Sequence, residues 1–309
     1  MAFKRLVTGV VLGLAMVPAQ AALNVFACEP EWADLVLALV PDADVHTATS
    51  AGQDPHYIEA RPSLISAMRR ADLAVCTGAS LEAGWLPALI SRASNSVIRP
   101  GKPGLFFAAE QVTLHQPQDH VDRSMGDVHP EGDPHIHLDP DRVPVIVDAL
   151  ADRIIELAPD QENAVRLRQR QWQVRWNLEK AQWRDAAEKL EGTQVAVQHA
   201  TFGYLLRWLG VETAIDLEPK PGLPPSASHL SKVLSDPALE RAELVLIASY
   251  QDRRPAQWLS KKTGLPVEVV PGTVTGEAGS DSLSALVSQL IDRLLQYREE
   301  HAPETAHHD

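Results

Sequence analysis

The sequence predicts an α/β protein with two lobes, each a mainly parallel sheet flanked by helices, joined by a long rigid helix. In both halves of the chain, short apolar runs of strand length alternate with helix-like segments, and this β-α-β-α order favours parallel sheets. Between the halves, residues 161–190 contain neither Gly nor Pro and are typical of one long polar helix, which Gly192 ends.

The N-terminal half alternates between strands and helices up to residue 91. A continuous apolar run of strand length, such as 73–77, is typical of a buried parallel strand. The passage 99–140 is predicted to consist mainly of loops. The predicted strands are 24–27, 45–49 and 73–77, and the predicted helices are 31–40, 62–70 and 84–91.

The C-terminal half repeats the alternation. Because the mature chain is longer than the roughly 100 to 200 residues of a typical domain, two lobes are expected. We expect an N-terminal lobe over 22–159, a linking helix over 160–190, a C-terminal lobe over 191–300 and a His-containing tail over 301–309. The predicted strands are 194–198, 214–217, 244–248 and 267–270, and the predicted helices are 141–157, 161–190, 202–209, 227–234 and 282–297.

The N-terminus has the pattern of a secretory signal peptide over residues 1–21. Lys4 and Arg5 precede an apolar run, and Ala19-Gln20-Ala21 fits the small-residue cleavage pattern. The apolar run is shorter than the roughly 20 residues that a membrane-spanning helix needs. We therefore expect a soluble periplasmic protein with no direct membrane insertion.

The charge of the chain restricts its partners. A formal net charge of -13 disfavours nucleic acid, because binding to phosphates requires clusters of Lys and Arg. Anionic membrane surfaces are disfavoured for the same reason. We expect a monomer.

The two cysteines, Cys28 and Cys76, each end a short apolar run. If these runs are neighbouring parallel strands, their carboxyl ends bring the sulfurs within bonding distance, and an exported chain permits a disulfide. Two buried free thiols and a thiolate metal site are the alternatives.

Histidines provide the main chemical signal. They are dense in the predicted loop region, and two isolated motifs flank that region at a distance. Imidazoles on short turns at the ends of separate segments are how a fold gathers neutral nitrogen ligands around a borderline-soft cation, so zinc is the expected ligand. The histidines of the loop region are His115, His120, His129, His135 and His137, and the flanking motifs are Asp54-Pro-His56 and Gln198-His199.

Short motifs that span nearly the whole mature chain occur in a specific order. They are Gly52-Gln-Asp-Pro-His56, Arg61-Pro-Ser, Ala71-Asp-Leu with Gly78, Leu81-Glu-Ala-Gly-Trp-Leu-Pro, Asp133-Pro-His135-Ile-His-Leu-Asp-Pro, His199 before Phe202-Gly-Tyr, and Ser280-Asp281-Ser-Leu. In this combination the chain resembles the metal-specific solute-binding proteins that serve ABC importers for zinc or manganese. The resemblance implies two α/β lobes connected by a rigid helix, with one metal ion in the cleft between them.

The resemblance also implies the metal ligands. His56 and His135 would come from the N-terminal lobe and His199 from the C-terminal lobe. Three imidazoles favour Zn²⁺ over Mn²⁺, whose sites favour oxygen. The fourth ligand in this family is often an Asp in a string such as Asp281-Ser-Leu. An N-cap of the final helix is the other role open to Asp281, and water or Glu277 is the alternative fourth ligand.

The remaining polar residues near these motifs have secondary roles in the prediction. His120, His129 and His137 are candidates for a secondary metal site in the His-rich loop 115–137, and His137 is alternatively a packing residue beside His135. Glu59 and Asp139 are candidates to accept the second ring N–H of a ligand imidazole.

The predicted function is capture of Zn²⁺ in the periplasm and its delivery to the inner-membrane permease of an ABC importer, without enzymatic activity. One alternative is a periplasmic zinc hydrolase with one coordination position open to water. The sequence has neither a His-Glu-x-x-His helix nor a Gly-x-Ser-x-Gly elbow. The other alternative is a free-standing zinc chaperone, which shares the metal site and differs in its partner.

Overall fold

The computed structural model describes residues 22–122 and 125–301. The predicted signal peptide over 1–21 and the tail residues from 302 onward lie outside the described residues. No helix within 22–122 and 125–301 has the combination of length and apolar character that a membrane span requires.

The N-terminal lobe is built on one sheet with all four strands parallel. Its strands are β1 (Asn24–Ala27), β2 (Asp44–Thr47), β3 (Leu73–Cys76) and β4 (Leu105–Phe107), and its helices are α1 (Pro30–Leu39), α2 (Pro62–Arg70), α3 (Leu86–Ala93) and α4 (Val143–Leu157). The strand order is β2-β1-β3-β4. Each of the four helices has a Pro in its first turn, where the fixed φ of Pro favours helix initiation and its missing N–H costs no hydrogen bond.

The C-terminal lobe repeats this plan after the linking helix α5 (Glu162–Leu190). Its strand order is β6-β5-β7-β8, again all parallel. The strands are β5 (Gln194–Val197), β6 (Glu212–Asp216), β7 (Leu244–Ala248) and β8 (Val267–Val270), and the helices are α6 (Gly203–Trp208), α7 (Ala227–Leu234), α8 (Arg254–Thr263) and α9 (Leu283–His301).

The linking helix packs against both lobes through three buried tryptophans. The ring centroids of Trp172 and Trp176 are 4.9 Å apart, and those of Trp176 and Trp183 are 5.0 Å apart. Trp176 donates a hydrogen bond to the carbonyl of Pro140 in the N-terminal lobe, and Trp183 donates one to the hydroxyl of Ser288 on α9. One apolar cluster contains residues of both sheets and of α5. The lobes therefore share a core, which fixes their relative position.

The predicted fold class is confirmed, and two elements were missed by the prediction. β4 has only three residues and lies inside the predicted loop passage 99–140. α8 has a helix signature, with Pro255 in its first turn and Gly264 in the left-handed conformation at its end. It buries only Ala256 and Leu259, so its apolar stripe is too short for periodicity to reveal.

Cys28 and Cys76 form a disulfide, which confirms the predicted pairing. Cys28 directly follows β1 and Cys76 ends β3, and these strands are adjacent in the sheet. Their Cα atoms are 4.8 Å apart, and both residues are fully buried. The sulfurs are therefore neither free thiols nor metal ligands.

Two buried carboxyl groups lie next to this disulfide. Glu82 accepts hydrogen bonds from the backbone N–H groups of Thr77 and Gly78 at 2.6 and 3.0 Å, and Glu29 accepts one from the Thr77 hydroxyl at 3.0 Å. Burial raises the pKa of Glu82 to about 7. Burial, followed by the charge of Glu82, holds the pKa of Glu29 well above its usual range. The folded protein therefore keeps a proton on this pair at neutral pH.

We predict that Glu29→Gln stabilises the protein at neutral and alkaline pH. Because the folded pKa of the pair lies above the unfolded value, the folded state binds more protons, and the free energy of unfolding falls as pH rises from about 4.5 through 7. The Gln amide replaces the retained proton. The variant should be more stable than the parent by roughly 1–3 kcal/mol near pH 8 and similar to it near pH 4.5.

Urea unfolding of both proteins at the two pH values measures this difference. A variant that is less stable than the parent near pH 8 would contradict the assignment of a retained proton.

Candidate metal centre

Three predicted ligands meet where the carboxyl ends of the two sheets face each other. His199 follows β5, His56 lies in the loop after β2, and His135 lies in the long passage after β4. The ring centroid of His199 is 5.3 Å from that of His135 and 6.1 Å from that of His56. The crevice at the carboxyl ends of parallel strands is the usual position of ligands in open α/β sheets.

His56 and His135 are presented by the same local turn, Asp-Pro-His. In each turn the Asp carboxylate accepts one hydrogen bond from the His backbone N–H at 3.0 Å and one from ring Nδ1 at 2.7 Å. Burial would raise the pKa of Asp54 and Asp133, but the hydrogen bonds and the charge of the paired His lower both values overall. These carboxylates assign the hydrogen to Nδ1 and leave Nε2 as a bare acceptor.

His199 has a carboxylate partner from the loop after β6. Its Nδ1 lies 2.9 Å from Oε2 of Glu218, which also accepts a hydrogen bond from the backbone N–H of Gly222 at 2.8 Å. Burial lowers the pKa of His199, but the hydrogen bond and charge of Glu218 outweigh it and raise the pKa overall. Nδ1 is again the anchored nitrogen.

A fourth histidine, His129, completes the cluster. Its Nδ1 donates to the carbonyl oxygen of Ala79 at 2.9 Å, and its Nε2 lies 3.2 Å from Nε2 of His56. A cation shared by the two nitrogens would satisfy both lone pairs when neither nitrogen carries a hydrogen. Two ligands of a tetrahedral zinc ion are separated by roughly 3.3 Å, given Zn–N bonds of about 2.0 to 2.1 Å.

All four rings are anchored through Nδ1, so Nε2 is in each ring the nitrogen left to bind a cation. In His135 and His199 this atom is buried and has no hydrogen-bond partner. Burial lowers the pKa of His129 and of His135 to about 4, so both rings are unprotonated at neutral pH. Buried acceptors without partners are costly, and a cation is the ligand that this arrangement suits.

The four imidazoles are gathered but not yet closed to coordination distance. Among the described residues, three or more candidate ligand atoms lie all within 4.8 Å of one another only in Cys28, Cys76 and Glu82, whose sulfurs are bonded to each other. Coordination needs nitrogen atoms roughly 3.3 Å apart. Binding one metal through all four Nε2 atoms therefore requires the rings to move closer together.

His137 lies outside the imidazole cluster. Its Nε2 donates to the carbonyl oxygen of Gly272 at 2.9 Å, and its Nδ1 lies 3.5 Å from a carboxylate oxygen of Glu31. Gly272 belongs to the C-terminal lobe, so His137 bridges the lobes. Its two ring nitrogens therefore face Gly272 and Glu31.

The other loop histidines are also separate from the cluster. The His115 ring lies against Tyr204, with ring centroids 4.7 Å apart. His120 is exposed, with Nε2 3.9 Å from a carboxylate oxygen of Asp122. Of the residues predicted for a secondary metal site, only His129 reaches the other ligands, and it joins the main cluster.

Asp281 and Glu277 do not lie with the imidazoles. Both are exposed, and neither lines any of the described cavities that contain His56, His129, His135 or His199. The structure does not bring Asp281, the predicted fourth ligand, or Glu277, which with water was its alternative, to the other predicted ligands.

The surroundings of Asp281 explain its position. Burial, together with the charge of Asp281, raises the pKa of Asp34 to about 6, so Asp281 belongs to the contact between α1 and the start of α9. Ser282 is the N-cap of α9, because its hydroxyl accepts the backbone N–H of Ala285 at 3.3 Å. Glu277 lines a separate cavity with Thr275.

The carboxylates that anchor the rings were missed by the sequence prediction, although a signal for them exists. The Asp-Pro-His string occurs twice, and in both copies the Asp two residues before the His is its partner. The predicted partners lie elsewhere. Asp139 accepts backbone hydrogen bonds ahead of α4, and Glu59 is exposed. Glu218 has no comparable signal, because a different loop brings it to His199.

A cavity of about 330 Å³ opens beside the cluster. It is lined by His56 and His199, by their carboxylate partners Asp54 and Glu218, and by polar groups that include Tyr250. A hydrated cation can therefore reach two of the imidazoles from a partly acidic space.

Comparison with known families identifies a match over most of the chain. Residues 25–296 match the family model of ZnuA, the periplasmic component A of a zinc-uptake complex. The family consists of solute-binding proteins of transporters and not of enzymes.

Two curated relatives are similar at low identity. Zinc-binding lipoprotein AdcA of Streptococcus pneumoniae is 22% identical over 229 residues, which is 74% of this chain and 45% of the relative, so the chain spans less than half of that protein. The iron ABC transporter substrate-binding lipoprotein MtsA of Streptococcus pyogenes is 22% identical over 285 residues, which is 88% of this chain and 87% of the relative.

Solved structures with the same fold include three metal-binding proteins. A crystal structure of ZnuA has a TM-score of 0.73 at 18% identity and covers 90% of this chain and 99% of the other. The periplasmic zinc-binding protein TroA of Treponema pallidum has a TM-score of 0.74 at 19% identity, with coverage of 90% and 99%. FpvC of Pseudomonas aeruginosa in complex with Mn²⁺ has a TM-score of 0.73 at 20% identity, with coverage of 91% and 99%. At these identities the likeness establishes the fold.

Proposed function

Because the chain belongs to the family of ZnuA, the periplasmic component of zinc-uptake complexes, we propose that it binds Zn²⁺ in the periplasm and delivers it to the permease of an ABC importer. The ion is held in the cleft between the lobes by the Nε2 atoms of His56, His129, His135 and His199. His129 takes the place that the sequence prediction gave to Asp281.

The observation that carries this proposal is the orientation of the four rings. Each ring is held through Nδ1 by a carboxylate or a carbonyl oxygen, which leaves Nε2 for a metal, and neighbouring ring centroids in the cluster are 5.3 to 6.1 Å apart. Such partners fix the tautomer and raise the basicity of a metal-bound imidazole, and their loss typically costs about 10- to 100-fold in affinity.

The donor set supports zinc over manganese. Four neutral imidazoles suit Zn²⁺, which prefers tetrahedral nitrogen and sulfur sites, whereas Mn²⁺ prefers oxygen ligands. The relatives include proteins described as binding zinc, iron or manganese. In this chain, therefore, the ligand atoms are what favours zinc.

Transfer to a permease distinguishes an importer component from a free-standing chaperone. Both bind zinc in the same cleft, and only the importer component stimulates transport. Zinc uptake by vesicles that contain the matching permease and ATPase, measured with and without this protein, separates the two.

Four protein ligands leave no open coordination position for water, so the site also gives no support to hydrolysis.

We predict that His129→Ala weakens zinc binding and that Asp281→Ala does not. The test is a competitive titration of Zn²⁺ against a chromophoric chelator on metal-stripped protein. The parent should bind one ion tightly, His129→Ala should lose at least about tenfold in affinity, and Asp281→Ala should stay within about twofold of the parent.

The two alanine variants are matched controls for each other. Unchanged affinity in His129→Ala together with weakened binding in Asp281→Ala would restore the set of three histidines and one aspartate. A parent without a tight site would refute the proposed function.

A further inference from the structure

The residues that lead to His135 cross the cleft and contact both lobes. This crossing segment, residues 125–135, contains Asp127, which lies two residues before His129. Asp127 lies outside the set of imidazoles and their Nδ1 partners. Its contacts nevertheless link the segments that carry three of the four rings, those of His56, His129 and His199.

The first contact is with the N-terminal lobe. The hydroxyl of Tyr57, the residue next to His56, donates a hydrogen bond to the Asp127 carboxylate at 2.5 Å. A hydrogen bond from a hydroxyl to a carboxylate is among the stronger ones in proteins.

The second contact is with the C-terminal lobe. The backbone N–H of Asp127 donates to the carbonyl oxygen of Pro221 at 2.8 Å. The next residue, Gly222, donates its N–H to the Glu218 oxygen that holds Nδ1 of His199. Asp127 is therefore linked to His199 through a short chain of backbone and carboxylate contacts.

Two glycines make this approach sterically feasible. A Cβ atom at Gly126 would collide with the carbonyl oxygen of Pro221, and one at Gly222 would collide with the Asp127 carboxylate. Both glycines have positive φ, 85° and 72° respectively, which side chains disfavour. The crossing segment and the loop after β6 are thus in direct backbone contact.

We propose that Asp127 is a positioning residue that slows metal release by tying together the segments that carry His56, His129 and His199. The inference rests on the proposed function. Asp127 directs its carboxylate to Tyr57 and not to the imidazoles, so its removal leaves all four ligands in place. The removal instead increases the rate at which the crossing segment, and His129 with it, moves away from the ion.

The experiment measures zinc release from the full-length mature protein. Zinc-loaded parent and variants are mixed with excess chelator in a stopped-flow instrument. Asp127→Ala and Tyr57→Phe should each release zinc roughly five- to thirty-fold faster than the parent. Asp127→Asn keeps an oxygen acceptor for the Tyr57 hydroxyl and should remain within about threefold of the parent.

The double variant and a matched surface control test whether the effect belongs to this contact. If Tyr57 acts through Asp127, the double variant Tyr57→Phe with Asp127→Ala should be no faster than Asp127→Ala alone. Asp160→Ala removes an exposed carboxylate far from the cleft, at the turn before α5, and should release zinc at the parental rate. The absorption spectrum of bound Co²⁺ should stay tetrahedral in each variant, because the ligands are retained.

Three outcomes overturn the inference. Parental release rates in Asp127→Ala and Tyr57→Phe, from a parent that binds zinc tightly, would overturn it and leave the proposed function standing. Independent, multiplicative effects of the two substitutions would show that they do not act through one contact. A parent without a tight zinc site would refute the proposed function and this inference with it. Tyr57 is exposed and Tyr57→Phe is a conservative substitution, so this variant should fold. It therefore tests the inference even if Asp127→Ala does not fold.

Discussion

Replacing His135 with alanine should reduce zinc affinity by at least about a hundredfold, the largest loss that we expect from a single substitution at the site. His135 is buried, its Nδ1 is held by Asp133 at 2.7 Å, and its Nε2 has no other partner. In the proposed site, the metal is the partner of this nitrogen. Removing the His135 imidazole leaves a cavity at the buried side of the cluster, where water is a poor replacement for the ligand nitrogen.

The loss should be visible as a change in thermal stabilisation. A ligand present at about a hundred times its Kd stabilises the native state by about 2.7 kcal/mol. Zinc should therefore raise the melting temperature of the parent by several degrees and leave that of His135→Ala nearly unchanged at the same zinc concentration.

His137→Ala is the matched control, because this residue lies on the same turn and is equally buried. It removes the hydrogen bond to Gly272 across the lobes and should lower the stability of the metal-free protein by roughly 1–3 kcal/mol. Its zinc affinity should remain close to that of the parent. The reverse pattern, with zinc binding lost in His137→Ala and kept in His135→Ala, would contradict the assigned roles.

This pair of histidines also shows where sequence reasoning works. The predicted strands before His56 and His199 place these two residues at carboxyl ends of the sheets, the family resemblance adds His135, and the structure brings all three together there. The choice of His135 over His137 followed the Asp-Pro-His string. The structure supplies its physical reason, because the Asp of that string orients the His two residues later.

The place of His129 in the main cluster could not be predicted from the sequence. His129 lies in a loop whose composition predicts no regular structure, and nothing in its immediate sequence distinguishes it from His115 or His120. Its position depends on tertiary contacts, the hydrogen bond to Ala79 and the crossing of residues 125–135 over the cleft. The Asp281 string lies away from the cluster in the structure, because it precedes α9, where Asp281 interacts with Asp34 of α1.

The largest effect on stability should come from removing the disulfide. Cys28 and Cys76 are separated by 48 residues, and a crosslink that closes a loop of this length restricts the unfolded chain by an amount worth about 4 kcal/mol. Cys28→Ala with Cys76→Ala should therefore be less stable by roughly that amount, as measured by urea unfolding. Alanine is preferred to serine because both positions are fully buried, and a hydroxyl there would need a partner.

Zinc affinity in the same double variant separates a role in stability from a role in the site. The sulfurs lie at the carboxyl ends of β1 and β3, inside the apolar cluster on one face of the N-terminal sheet, and none of the four imidazoles belongs to that cluster. Affinity should therefore stay within about threefold of the parent at a temperature where the variant is folded. A loss of ten times or more would mean that the disulfide holds the turn of His56 or His129 in place. Two routes join the disulfide to these turns. The Thr77–Glu82 contacts join the end of β3 to the loop containing Ala79, and Thr49, at the start of the loop that carries His56, donates two hydrogen bonds to the Cys28 carbonyl.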